Sequence, residues 1–371
     1  MIHPASGWRG FNLIDLFSTS VRWKEFWSLD DRGEVPEEDF EMIRDLGFTF
    51  VRLPVSYLFL GKGPYGRTPD PDRMHLVDRV IALGQKYGVH VSLNIHRAPG
   101  YCCLSPSQFD FAERDNLFTD DEPLAAYITW WRTFAERYRD VPKADLSFDL
   151  LNEPINVDEV AFNRTFLPAI EAIHAVNPDR YIMVEGSFRA HGSFDAGGAV
   201  DIVEMVPPTA AAVALPNVIS SMHLYHPLGL TRYNCAWAAP SDLEPPTWPY
   251  RPRLASGSAP RVLTGDEAKL WDKETLRELI APYLELVKAG HPVHVGEMGA
   301  WPGFAHDVYL DYCRDVVDLL AENGIGYALW AFRGPFGVID NGFADAEYET
   351  YHGLSLDRQL ADILKNEGAS R

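Results

Sequence analysis

LSFDLLNEP, residues 146–154, and HPVHVGEMG, residues 291–299, decide how this chain is expected to fold. Each is an apolar run with weak polar alternation, the pattern of a β-strand covered on both faces. Each carries a glutamate near its end, Glu153 in the first and Glu297 in the second. A carboxylate at the end of a buried strand sits where a barrel displays its chemistry. The plainer reading is that both are strand-end glutamates making ion pairs. Two of them, distant in sequence but able to meet in space, fit a pair of carboxyl groups acting on a glycosidic bond.

Working outward, the same strand pattern recurs along the chain. Strands are predicted at 9–17, 48–57, 89–98, 146–154, 180–187, 217–227, 291–299 and 325–334. Amphipathic helix patterns lie between most of them. PEEDFEMIRDLG (36–47) opens with Pro36 and acidic residues and stops at Gly47, the expected start and stop signals. Others are MHLVDRVIALGQKYG, PLAAYITWWRTFAERYRD, NRTFLPAIEAIHAVNP, KETLRELIAPYLELVKAG and VYLDYCRDVVDLLAENG. Eight strands alternating with helices predict an α/β fold, a (β/α)8 TIM barrel, formed by one catalytic domain over 1–371. A doubly wound sheet is the competing fold, but it needs a glycine-rich phosphate turn after its first strand, and FNLIDLF is followed by none. The stretch at about 227–271, after the sixth strand, is too long for a plain connection. It is rich in Pro and Gly and carries Trp237, Trp248, Tyr250 and Trp271. These aromatics either stack on sugar rings or pack the insertion onto the barrel.

Composition narrows the partners. The chain has 371 residues, 46% of them apolar, ample for a large core. With 53 acidic and 33 basic residues the formal charge is −20, which opposes binding to nucleic acid or an anionic membrane and leaves a neutral substrate compatible. The N-terminus lacks a charged segment followed by an apolar one, so a cytoplasmic location is expected, with secretion after processing as the alternative. Cys102, Cys103, Cys235 and Cys313 form neither a disulfide framework nor a zinc-binding spacing, and free thiols are expected. The sequence does not fix the oligomeric state.

In a barrel the C-terminal ends of the strands converge on one cleft. Those ends carry Asn12 and Asp15, then Arg52, His96, Asn152 with Glu153, Glu185, His223 with Tyr225, Glu297 and Trp330. The set suits a double displacement, in which one carboxylic acid protonates the leaving oxygen and the other carboxylate attacks the anomeric carbon. The acid is expected to have a raised pKa, through the negative charge of its neighbour. The attacking group is expected to stay ionised beside a cation, with Arg52 as candidate and Tyr225 as hydrogen-bond donor. Arg52 could equally tie strands together at the rim. Asn152 is a candidate to hold the sugar 2-hydroxyl, Trp330 to form a flat platform under the reacting ring, and His96 and His223 to act as supporting donors. Glu185 stands apart, because its strand offers no second polar partner.

Asn-Glu-Pro at 152–154 and Gly-Glu at 296–297 resemble glycoside hydrolase family 5, the cellulase and mannanase family. Arg52, His96, His223, Tyr225 and Trp330 fall on strands where that family carries equivalent residues, and the resemblance spans essentially the whole chain. It implies a retaining mechanism with Glu153 as acid/base and Glu297 as nucleophile, without metal or other cofactor. NIHRAPGYC (94–102) and the segment at 336–358 are similar to bacterial members that trim β-mannan or β-glucan oligosaccharides. The long sixth loop and the adjacent Cys102 and Cys103 depart from the family pattern. The expectation is a retaining hydrolase of β-1,4-linked manno- or gluco-oligosaccharides, exo-acting or preferring short substrates. An endo-acting cellulase or mannanase, a non-catalytic sugar-binding barrel and a metal-dependent barrel are the alternatives.

Overall fold

Apolar strands with no polar face must be covered on both sides, and closing them into a cylinder wrapped by helices does that. The computed structural model describes residues 3–16, 34–62, 67–103, 113–191, 201–235 and 241–365. Eight parallel strands close a barrel: β1 (Arg9–Asn12), β2 (Phe50–Ser56), β3 (His90–Arg97), β4 (Leu146–Asp149), β5 (Ile182–Glu185), β6 (Val218–Leu224), β7 (Val293–Met298) and β8 (Gly326–Leu329). Neighbours in sequence are neighbours in the barrel, and β1 pairs with β8 to close it. All eight lie within the predicted spans, and each is shorter. The β1 span ran into Phe17, which lies outside the described residues.

The outer layer comprises α1 (Glu37–Asp45), α2 (His75–Tyr87), α3 (Asp121–Arg137), α4 (Glu159–His174), α5 (Ala210–Val213), α6 (Lys273–Leu279), α7 (Ala281–Lys288), α8 (His306–Glu322) and α9 (Arg358–Lys365). The pattern at 273–290 reads as one helix but forms two. Pro282 lacks an amide hydrogen and sits in the first turn of α7, where that loss costs least. No helix pattern stood out after β5. The chain there makes a hairpin, Ser187–His191 against Asp201–Val206, before the single turn of α5. Among the described residues no helix is long and apolar enough to cross a membrane.

The loop after β6 is fixed by its own aromatics. Tyr250 and Trp271 exchange backbone hydrogen bonds of 2.8 and 2.7 Å, and both side chains are buried. Trp248 donates its indole N–H to Asp315 at 2.9 Å and meets Tyr312 edge-on. These three rings pack the insertion onto the barrel rather than offering a face to a sugar. Trp237 lies outside the described residues.

The barrel interior changes character along its axis. Its lower end is plugged by Trp8, Phe50 and Met183, with Trp8 stacked on His90 at 3.9 Å and Phe50 against His294 at 4.7 Å. Burial keeps both histidines neutral, His90 at about 4 and His294 at about 3. A histidine whose pKa falls on folding binds fewer protons folded than unfolded, so its contribution is present above about pH 6.5 and is lost as pH falls towards the folded value. Relative to His90→Gln, the wild-type unfolding free energy should therefore decline by about 1.4 kcal/mol per pH unit between pH 6.5 and 4. Urea unfolding of both proteins at several pH values checks this.

Candidate active site

Above the aromatic plug the interior turns polar, around one guanidinium. Arg52 rises from β2 and is wholly buried. Its Nε donates to Asp149 at 2.6 Å, Nη1 to Glu297 at 2.6 Å and to Asn12 at 3.0 Å, and Nη2 to Asn152 at 2.9 Å. Asn12 passes the connection on, donating to the carbonyls of Gly296 and Leu329 at 2.9 and 3.0 Å. Arg52 thus joins β1, β2, β4 and β7, so the strand-tying and cation readings are both true of it. Asp149 had escaped notice. The available signal was an aspartate inside a wholly apolar strand, a place that demands a partner.

Glu153 lies just beyond β4. The ladder continues past Asp149 through the amides of Leu150 and Asn152, and Glu153 then adopts φ +44°, a left-handed conformation unusual outside glycine. Its amide donates to Glu185 at 2.8 Å, and its carbonyl accepts from the Tyr101 hydroxyl. Glu297 sits within β7, where the register against β6 shifts between Met222 and His223. That bulge re-aims the strand end. Gly296 permits it: a Cβ there would come within 3.1 Å of His223 Nε2 and 3.2 Å of Ser221 Oγ.

The site residues expected from sequence largely meet. Tyr225 donates to Glu297 Oε2 at 2.8 Å. His223 places Nδ1 3.0 Å from Glu153 Oε1 and 3.4 Å from Glu297 Oε2, and Nε2 3.0 Å from Glu185 Oε1. One atom each of Glu153, His223 and Glu297 lie within 4.8 Å of one another. Such a triangle is also one a metal ion could use, but the Arg52 cation already occupies Glu297 and opposes a second positive charge. Asn152 is held at both ends, accepting from Arg52 and donating to the Cys103 thiol at 3.2 Å. His96 stacks on Trp330 with centroids 5.4 Å apart, 4.0 Å from Glu297. Trp330 itself is almost wholly buried, in a cluster with Ile14, Tyr225 and Phe336. None of the four cysteines is in a disulfide.

The electrostatics correct one expectation. Burial works to raise Glu153, yet the His223 hydrogen bond and charge, helped by Arg232, outweigh it and bring Glu153 down to about 2. The expected raised pKa of the acid is absent, because the His223 ring 3.0 Å from Glu153 Oε1 outweighs the burial of the group. Burial raises Glu297, while His223 and the Arg52 cation pull it the other way. His223 goes up to about 9; burial opposes this, but Glu185, Glu297 and Glu153 surround the ring. Burial and Arg52 hold His96 neutral. Glu185, discounted in sequence for want of a partner, has two; they come from other strands, where a linear reading cannot see them.

Known proteins resemble this chain in sequence and in fold. The model of the family described as Cellulase (glycosyl hydrolase family 5) matches residues 8–334. Endoglucanase C of Acetivibrio thermocellus is 24% identical over 308 residues, covering 81% of this chain and 84% of that protein. Cellodextrinase A of Ruminococcus flavefaciens is 25% identical, covering 78% and 76%. A crystal structure described as a glycoside hydrolase is 30% identical and superposes with a TM-score of 0.79 over 96% of this chain and 98% of the other. Thermotoga maritima Cel5A, solved with mannotriose, shares the fold at 20% identity, with a TM-score of 0.66 over 97% and 98% of the two chains.

Removing the Arg52 charge strands two buried carboxylates. Arg52→Met should cost about 3–5 kcal/mol of stability, because Asp149 and Glu297 are left without their cation. The shift in urea midpoint measures it.

Proposed function

The chain belongs to glycosyl hydrolase family 5 and is therefore a glycosidase, and on that premise we propose that Glu153 is its acid/base and Glu297 its nucleophile in a retaining double displacement. The observation that carries this reading is the approach of the two carboxylates. One oxygen of each lies within 4.8 Å of an oxygen of the other, an approach that suits the ~5–5.5 Å carboxyl separation of retaining enzymes better than the ~6.5–9.5 Å of inverting ones.

The chemistry divides between the two sides of the site. A Glu297 oxygen attacks the anomeric carbon as the glycosidic C–O bond breaks. Arg52 and Tyr225 fix the attacking group, each holding one oxygen. The leaving oxygen takes a proton from Glu153. At rest that proton lies on the His223 side of the 3.0 Å contact, and it crosses to Glu153 as the leaving oxygen becomes basic. The new ester at Glu297 carries no charge, so one of the anions that held the proton on His223 is gone. Glu153, now ionised, takes a proton from the incoming water, whose oxygen displaces the ester and restores the Glu297 carboxylate.

The substrate we propose is a β-1,4-linked gluco- or manno-oligosaccharide, cut from an end or as a short chain. Support comes from the cellodextrinase relative and from the mannotriose complex of a protein with the same fold. Endo cleavage is the second reading, favoured by the relatives named endoglucanases. Product sizes from a hexasaccharide separate them: mono- or disaccharide first for end cutting, mixed middle lengths for endo cutting.

Glu297→Ala should lower kcat at least about 10⁴-fold, with azide restoring turnover as an α-glycosyl azide. Glu153→Ala should lose about 10²–10⁴-fold on poor leaving groups and little on dinitrophenyl glycosides. Equal losses on all substrates in both variants, or an inverted first product by NMR, would refute the assignment.

A further inference from the structure

We propose that Glu185 is the positioning residue of the proton-transfer half of the site, one oxygen holding the Glu153 backbone and the other holding His223 against the Glu153 carboxylate. This rests on the reading of Glu153 as acid/base and adds the group that keeps it supplied with a proton.

Glu185 ends β5, and its side chain is almost wholly buried. A carboxylate there needs more than one partner to stay charged. Oε2 accepts the Glu153 amide at 2.8 Å, fixing a residue whose left-handed φ would otherwise relax. Oε1 lies 3.0 Å from His223 Nε2, off the N–H axis, so it acts on the ring as a close charge rather than through a linear hydrogen bond. The opposite ring nitrogen reaches Glu153 Oε1 at 3.0 Å. One carboxylate therefore touches both the main chain of the acid/base and the ring that shares its proton. The arrangement follows the logic of carboxylate–histidine pairs elsewhere: a fixed anion makes the second nitrogen a better proton carrier.

Among the described residues, the other charged or titratable groups that act on His223 are Glu153 from the β4 end, Glu297 and His294 from β7, His96 from β3 and Tyr225 on its own strand, while Arg52 from β2 and Asp149 from β4 act on Glu185. The charge of Glu185 is the first of those that keep the ring protonated, followed by the charge of Glu297 and by the hydrogen bond and charge of Glu153. Glu297 loses its charge in the covalent intermediate and Glu153 changes state in every cycle. Glu185 alone of the three takes no part in bond making. Burial pushes its own carboxyl up, to about 8, against the pull of His223 and Arg52, so its charge is kept by its pairing with the ring it holds.

The test uses Glu185→Gln, which matches the side chain in size and can still accept the Glu153 amide, but carries no charge. The alkaline limb of kcat/KM, near pH 9 in the wild type, should move at least about one pH unit towards acid. At pH 8 the loss should be about tenfold or more on poor leaving groups and within a few-fold on dinitrophenyl glycosides. An unmoved alkaline limb, or equal losses across the leaving-group series, would overturn the proposal. Should the glutamine variant not fold, Glu185→Asp decides, since it keeps the charge but cannot span both contacts. Its limb should move towards acid by less than one unit, and a limb unchanged or moved to higher pH refutes the role. Glu153→Ala on the same series separates the two ideas. A flat leaving-group dependence there condemns the acid/base reading itself, whereas a steep one beside an unaltered Glu185→Gln condemns only the role of Glu185.

Discussion

The arrangement at the barrel mouth depends on the burial of one arginine. A guanidinium sealed from water must find anions and acceptors for its donors, and Arg52 finds them in Asp149, Glu297, Asn12 and Asn152. Its rigid fork fixes distances between strands that are not neighbours in sequence. β7 cannot slide without leaving Glu297 uncompensated in the interior, and the β4 end cannot shift without stranding Asp149. The cation that orients Glu297, the attacking group of the proposed mechanism, is thereby also the clamp of the upper barrel. Function and stability are coupled at this residue.

A second constraint is the count of charge above that clamp. Asp149, Glu153, Glu185 and Glu297 converge on Arg52 and His223. Four carboxylates against one fixed cation would be costly in a buried site, and a protonated His223 relieves it. The proton therefore prefers the His223 imidazole to the Glu153 carboxylate. Two carboxylates taken as a pair suggest that each raises the other. A histidine inserted between them reverses the result for Glu153 and turns proton donation into a transfer across a 3.0 Å contact. The lower barrel solves the opposite problem: His90 and His294 have no carboxylate against their rings and stay neutral among aromatics.

Much of this was open to a reader of the sequence. The eight strands show as apolar runs because each must be covered on both sides, and the helices between them show as amphipathic patterns with their stops. Glu153 and Glu297 stand out as the polar ends of such runs, and Arg52, His96, Asn152, His223, Tyr225 and Trp330 follow from the same rule. The rule falters where the local pattern has two physical outcomes. An aromatic in a long loop looks the same whether it covers a sugar or seals the loop, and Trp248, Tyr250 and Trp271 do the second. The pattern at 273–290 hides a break at Pro282 because the apolar spacing carries through it.

The sequence by itself determined the barrel, the family and the two glutamates, since strand periodicity and the residues at strand ends are local properties. The tertiary structure decided what those residues do to one another. Glu153, Glu185 and His223 come from three different strands, and their contacts near 3 Å exist only once the barrel has closed. Electrostatic interaction depends on separation and on exclusion of water, and neither is written in residue order. For that reason the sequence could single out Glu153 and Glu297, while only the folded barrel shows that His223 stands between them and Glu185.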